Sequence, residues 1–238
     1  MTAADVVLGT LVVLAGACLQ GVVGFGSNLV AAPLLVLVST RFVPAPLIVV
    51  TTLLNVLVTR REGRASVDKQ ISWAIVGQVG GALAAGVALL AVSDRGLSVL
   101  FAGIVLTAVA LSVGGWHLPP TPRTLAGAGV AAGFMGTISG IGGPPIALVY
   151  QRADAPTLRG TLARFFLAGG AISIATLAAV GHVDAETVVP TLVLVPGMVA
   201  GFLLSRPLVR RLDRATARPV VLVLSTAAAL AVLARELL

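Results

Sequence analysis

The 238-residue chain has one cysteine, Cys18, two histidines and nine acidic residues, and only 4% of it is aromatic. A lone cysteine excludes an intrachain disulfide and any cysteine-built metal site. Charged residues make up 11% of the chain, against about 25% in soluble domains. With 58% hydrophobic residues and a mean hydropathy of +1.06, a chain this short cannot hide its apolar surface from water. Asp5, Glu62, Asp68, Asp94, Asp154, Asp184, Glu186, Asp213 and Glu236 all fall between apolar segments or at their ends. The chain therefore lacks the membrane-buried carboxylates of proton relays. No Ser/His/Asp, HExxH or Cys/His constellation is present, so neither hydrolysis nor metal chemistry is expected, and no metal or other cofactor. "LAGAC" at 14–18 resembles a lipoprotein cleavage site, but no Lys or Arg precedes it, as a signal peptide requires.

What is present is a series of apolar segments, at about 5–38, 42–59, 71–92, 97–116, 124–150, 160–181, 187–205 and 217–234. A bilayer core of roughly 30 Å needs about 20 residues per crossing. The class is an all-α polytopic membrane protein, with the lipid bilayer as its first partner. The net charge of +7 does not indicate nucleic acid, because the basic residues sit in short loops between apolar segments.

Segments 5–38 and 124–150 are too long for one crossing, and glycines interrupt both. A shift of 112 positions superimposes the interruptions. Gly21 meets Gly133, Gly24 meets Gly136, Ser27 meets Ser139, Pro33 meets Pro145 and Pro44 meets Pro156. Roughly two such identities are expected from composition alone. Two homologous halves follow, 1–115 and 120–238. If each broken segment is a re-entrant hairpin, 13 of the 16 basic residues face one side of the membrane, the cytoplasmic one. Each half then adds three transmembrane helices, an odd number, so the halves form inverted repeats with both termini outside.

Irregular backbone at membrane depth is tolerated only inside protein or beside a watery cavity. The two breaks are therefore expected to meet near the midplane. Pro33 and Pro144 or Pro145 suit the first turn of each returning half-helix, whose N-terminal N–H groups and dipole attract anions. The expected site comprises Gly24, Gly26, Ser27 and Asn28 from the first break. Thr137, Ser139, Gly140, Gly142 and Gly143 come from the second. Thr51, Thr52 and Asn55 are placed on the opposite wall by the repeat, which pairs Arg164 with Thr52. Arg159 and Arg164 begin the following segment, and a guanidinium fork matches a sulfonate or carboxylate. Their alternative role is to snorkel to the interface. Gln20 and Gln78 are polar in apolar helices and fit a helix–helix hydrogen bond or a ligand equally well. Gly77/Gly81, Gly129/Gly133 and Gly197/Gly201 read as close-packing pairs.

"GVVGFGSNLVAAPLL" (21–35), "GTISGIGGPPIALVY" (136–150) and "LRGTLARFFL" (158–167) resemble the sulfite exporter TauE/SafE family of membrane permeases. The resemblance spans nearly the whole chain. It implies a bacterial inner-membrane exporter of a small sulfur-containing or organic anion, such as sulfite or a sulfonate. It carries over the glycine-proline motifs at 24–33 and 139–145 and Arg159 as functional positions. Arg164 stands where the family often has an apolar or aromatic residue. An importer coupled to sodium or protons is the alternative, an intramembrane enzyme or an assembly subunit the more remote ones. The oligomeric state stays open, a homodimer included.

Overall fold

The computed structural model describes residues 1–24, 26–62, 67–114 and 118–208, with Val223 and Ala227. All its regular elements are helical: α1 (Ala3–Val23), α2 (Ser27–Val38), α3 (Ala45–Glu62), α4 (Ile71–Ala91) and α5 (Asp94–Val113), then α6 (Pro122–Ser139), α7 (Gly143–Val149), α8 (Ala155–Ala179) and α9 (Val188–Leu208). Short 3-10 turns at Thr40–Phe42 and Ala185–Thr187 precede α3 and α9. The polar residues between apolar segments supply the helix starts. Thr2 and Asp5 form a capping box on α1, Ser93 caps α5, and Asp154 accepts from Thr157 N at 3.1 Å on α8.

Five helical stretches among the described residues are long and apolar enough to cross a membrane: Ala3–Val22, Ile71–Ala91, Arg95–Val113, Pro156–Ala179 and Ala185–Leu208. This differs from the expected division into crossings and hairpins in two places. The first limb of the first broken segment, α1, rises about 31 Å, a full bilayer core rather than half of one. Segment 42–59 forms α3, whose 18 residues end in Arg60, Arg61 and Glu62 and fall outside the five. Segment 217–234 lies outside the described residues.

Both broken segments fold back on themselves. Gly24 and Gly26 take φ +95°, a left-handed conformation costly for any residue with a Cβ, and reverse the chain between α1 and α2. Successive contacts then fall along α1 in reverse order. Ser27 donates to Gln20, Ala31 lies against Gly16, and the Phe42 ring lies against Gly9. α2 thus runs antiparallel to α1 and returns the chain to near its start. The second break repeats the device. Gly140 (φ +77°) ends α6, and α7 turns back so that Gly142 lies on Ala132 and Gly136.

α4 packs along α6, and α1 along α9, over most of their lengths; α3 crosses α8 between them. Backbone approaches backbone in both long seams. A Cβ on Gly77, Gly81, Gly129 or Gly133 would run into a carbonyl of the facing helix, those of Ala126, Val130, Ala74 and Gln78 respectively. Gly197 and Gly201 meet the carbonyls of Thr10 and Leu14 in the same way. Such contact suits a lipid environment, where association relies on close packing instead of water expulsion. The outer face of α4 carries Trp73, Val76, Leu83, Val87 and Leu90, 49–70% exposed. Their helical spacing makes one continuous apolar stripe, as a lipid-facing surface requires.

Gly81→Ala should lower the melting temperature of detergent-purified protein, by the equivalent of about 1–3 kcal/mol of overpacking. Gly80→Ala, one residue before it and facing open space, should not. Equal melting temperatures for the two variants would contradict the backbone-to-backbone seam.

Candidate functional site

Between the breaks lies a cavity of about 70 Å³. Measured as space open to a water-sized sphere, one water needs about 10–15 Å³, so the cavity has room for a small solute. Gly26, Ser27 and Asn28 line it from the start of α2, and Gly140, Gly142 and Gly143 from the second break. Thr51, Thr52 and Asn55 on α3 form another wall, with Gln78 of α4 and Gly169, Gly170 and Ser173 of α8 opposite. Among the described residues, none that lines it is charged.

Asn28 holds the two breaks together. Its Nδ2 donates to the carbonyl of Gly140 at 2.8 Å and approaches Thr51 Oγ1 at 3.3 Å. Asn28 and Gly140 are 112 residues apart, the repeat shift itself. The bond satisfies a carbonyl that the left-handed turn removes from any helical ladder. Behind Asn28, Ser27 Oγ donates to Gln20 Oε1. Gln20 Nε2 donates to Asn55 Oδ1 at 2.8 Å, and Asn55 Nδ2 to the carbonyl of Thr51 at 2.8 Å. Gln20, Ser27, Thr51 and Asn55 are all buried, so this chain fixes the wall by mutual satisfaction. Gln20 thereby acts as a helix–helix hydrogen bond that also borders the cavity.

The start of α2 faces the cavity with no side chain capping its first turn. Pro33 is not in that first turn as expected. It is the seventh residue of α2, because left-handed Gly26 lets the helix begin at once with Ser27. Pro144 and Pro145 do occupy the first turn of α7. They also remove two N–H groups there, so α2 presents the richer set of backbone donors.

Several expected site residues are placed elsewhere. Thr137 Oγ1 and Ser173 Oγ bond each other at 2.8 Å between α6 and α8, turning Thr137 away from the cavity. Ser139 is fully buried, donates back to the Met135 carbonyl at 2.7 Å and accepts from Ile141 N at 3.2 Å. It shapes the turn without lining the space. Gly24 lies under the aliphatic stem of Arg159, whose Cγ would sit 2.8 Å from a Cβ there. Arg164 is partly buried on α8, outside the lining.

Arg159 belongs to an ion cluster beside the first break. Its Nε lies 3.2 Å from Glu62 Oε1, which also accepts from Arg61 Nη2 at 3.2 Å. Arg61 further donates to the carbonyl of Gly21 at 2.7 Å and to Ser205 Oγ at 2.9 Å, and its guanidinium lies over the Phe202 ring at 5.2 Å. The cluster therefore ties α1, α3, α8 and α9 together with one surplus positive charge. Reading the sequence gave Arg159 a ligand role but gave Glu62 none. The pairing spans 97 residues, and no local pattern signals it.

Glu62→Gln leaves two largely buried guanidiniums without their counter-ion. It should destabilise the protein by about 1–3 kcal/mol in a denaturation series at low salt. Glu62→Asp, which keeps the charge, should recover part of that loss. Unchanged stability in Glu62→Gln would mean that the cluster does not hold these helices.

A family model, Sulfite exporter TauE/SafE, matches residues 8–232, which covers α1 to α9 of the described residues but for the start of α1. No curated protein matches the chain, and no solved structure does. The match and the five apolar helices make this a multi-pass membrane protein of transporter type. Matched over almost its full length, the chain belongs to the sulfite exporter TauE/SafE family.

Proposed function

We propose that the chain is a permease that exports a small sulfur-containing or organic anion across the bacterial inner membrane, through the cavity between its two glycine breaks. The Asn28–Gly140 junction carries this reading. It joins two interrupted helices over a buried polar space, the arrangement in which discontinuous transporter helices present N-termini to an anion. The uncapped start of α2 supplies the positive end of a dipole.

The helix pairings support two inverted repeats, 1–115 and 120–238. Under the 112-residue shift, α1 corresponds to α6, α3 to α8 and α4 to α9. The seam of α1 with α9 is then the counterpart of the seam of α6 with α4, and α3 with α8 is its own counterpart. A hairpin at each break, with both termini outside, places the Arg61–Glu62–Arg159 cluster at the cytoplasmic mouth. Its surplus charge would gather anions there.

Voltage is a sufficient driving force. The inside-negative potential favours anion exit by about 2.3 kcal/mol per charge per 100 mV. No carboxylate lines the cavity to carry a coupling proton. Proteoliposomes loaded with radiolabelled sulfite, clamped with potassium and valinomycin, test this. Efflux should accelerate as the inside becomes more negative, without a sodium or proton gradient. Flux indifferent to voltage that collapses when either gradient is removed would favour coupled transport. No flux of sulfite, sulfoacetate or short carboxylates would reject the permease.

Gly170 provides a steric test. A Cβ there would collide with Thr52 Oγ1, where α8 packs on α3 at the cavity wall, whereas Gly103 faces open space. Gly170→Val should reduce efflux by about tenfold or more, the effect of losing roughly 1.4 kcal/mol of binding. Gly103→Val should leave it unchanged. Equal flux in the two folded variants would place the pathway elsewhere.

A further inference from the structure

Gln78 is the anomaly of the cavity. It is 4% exposed, lines the space from α4, and its carboxamide oxygen has no hydrogen-bond partner among the described residues. The amide lies flat on the Cα of Gly169, where a Cβ would fill its place, and Gly133 of α6 packs against the backbone behind it. Two glycines are thus arranged to admit this one side chain. A buried polar group left unpaired is costly, and native proteins rarely keep one without a use. The other buried polar residues of the wall have partners: Gln20, Ser27 and Asn55 bond in a chain, Thr51 donates to the Leu47 carbonyl, and Ser173 pairs with Thr137.

We propose that Gln78 is a specificity residue whose amide reads the proton of the substrate, so that the cavity accepts a singly charged, proton-bearing oxoanion and rejects the fully deprotonated form. This deepens the permease reading above and rests on it. A carboxamide offers one acceptor and one donor edge. In the structure the amide is closed off against Gly169; turned into the space, it meets its complement in a hydrogen oxoanion, whose O–H donates to Oε1 while one of its bare oxygens accepts from Nε2–H. Turning the amide over preserves the match, because both edges are used. A dianion has only acceptors, so it leaves Oε1 unpaired against another negative oxygen. Among the described residues no Lys, Arg or His lines the cavity to offset a second charge. Among sulfur oxoanions the fitting species is hydrogen sulfite, not sulfite.

Among the described residues no titratable side chain lines the cavity to obscure the substrate's own protonation. α4 carries no charged residue, and α6 and α8, which pack on it, carry Arg123, Arg159 and Arg164, all outside the lining. An arginine stays protonated at any pH used for transport. The pH dependence of flux therefore reports the ion.

Proteoliposomes of the full chain, at equal pH on both sides and fixed total sulfite, test the proposal. Flux should fall with rising pH in step with the hydrogen sulfite fraction. Methanesulfonate, a monoanion with no O–H, should move about tenfold more slowly than hydrogen sulfite, the equivalent of one lost pairing. In Gln78→Leu this preference should vanish, with hydrogen sulfite flux falling to the methanesulfonate level. The melting temperature of that variant should stay level or rise, because an unpaired buried amide is removed; a purely structural glutamine would lower it. Flux that grows with the sulfite dianion, or that treats methanesulfonate and hydrogen sulfite alike in the wild type, would overturn the proposal and leave the permease intact. So would an unchanged preference in Gln78→Leu. Absence of all sulfur-oxoanion flux from the wild type would overturn both.

Discussion

Inside a bilayer no water is available to satisfy a peptide group, and this constraint governs the structure. The chain interrupts its backbone twice in apolar surroundings, at Gly24–Gly26 and at Gly140–Gly142. Each interruption strips carbonyls and N–H groups of their helical partners. The two are tolerable because they are brought together, and Asn28 donates across the junction to the Gly140 carbonyl. The first turn of α2, which no side chain caps, borders the cavity. Transport chemistry and backbone satisfaction are, on this account, one arrangement.

Close packing elsewhere serves that arrangement. The glycine seams let α4 lie on α6 and α1 on α9 at backbone contact. Side chains in those seams would push the helices apart and open the junction. The polar chain Ser27–Gln20–Asn55–Thr51 then fixes α1, α2 and α3 around the cavity wall. At the neighbouring end, Glu62 gathers Arg61 and Arg159 and pins α8 to α3 beside Gly24. Strength lies in these satisfied networks, and Gln78 stands apart from them with its carboxamide oxygen unpaired.

The coarse plan was legible in the sequence because bilayer constraints act on composition. Length and apolarity mark the spans, and glycine with proline marks the breaks. The small-residue pairs at 77/81, 129/133 and 197/201 mark the seams. That the two breaks meet was legible from their equivalent places in the halves; that Asn28 and Gly140 make the junction was not. What stayed hidden depends on rotation and distance. Thr137 and Ser139 lie in the break motif, yet helix rotation turns them to Ser173 and to backbone. Pro33 was misplaced by a full turn or more because the helix start depends on the φ of Gly26. The partner of Arg159 lies 97 residues away, and Gly169 and Gly170 became cavity residues only when α8 packed against α3 and α4. Gln20 and Gln78, indistinguishable as polar residues in apolar helices, were separated by their partners: one is bonded, the other is not.

The central claim is that the anion occupies the space between the two breaks. A crystal structure of the protein with selenite, a heavier analogue of sulfite, tests it through the anomalous signal of selenium. The account predicts a peak bounded by Gly26–Asn28 and Gly140–Gly143, within hydrogen-bond reach of the Gln78 amide. A peak confined to the Arg61–Glu62–Arg159 cluster, with none in the cavity, would contradict it.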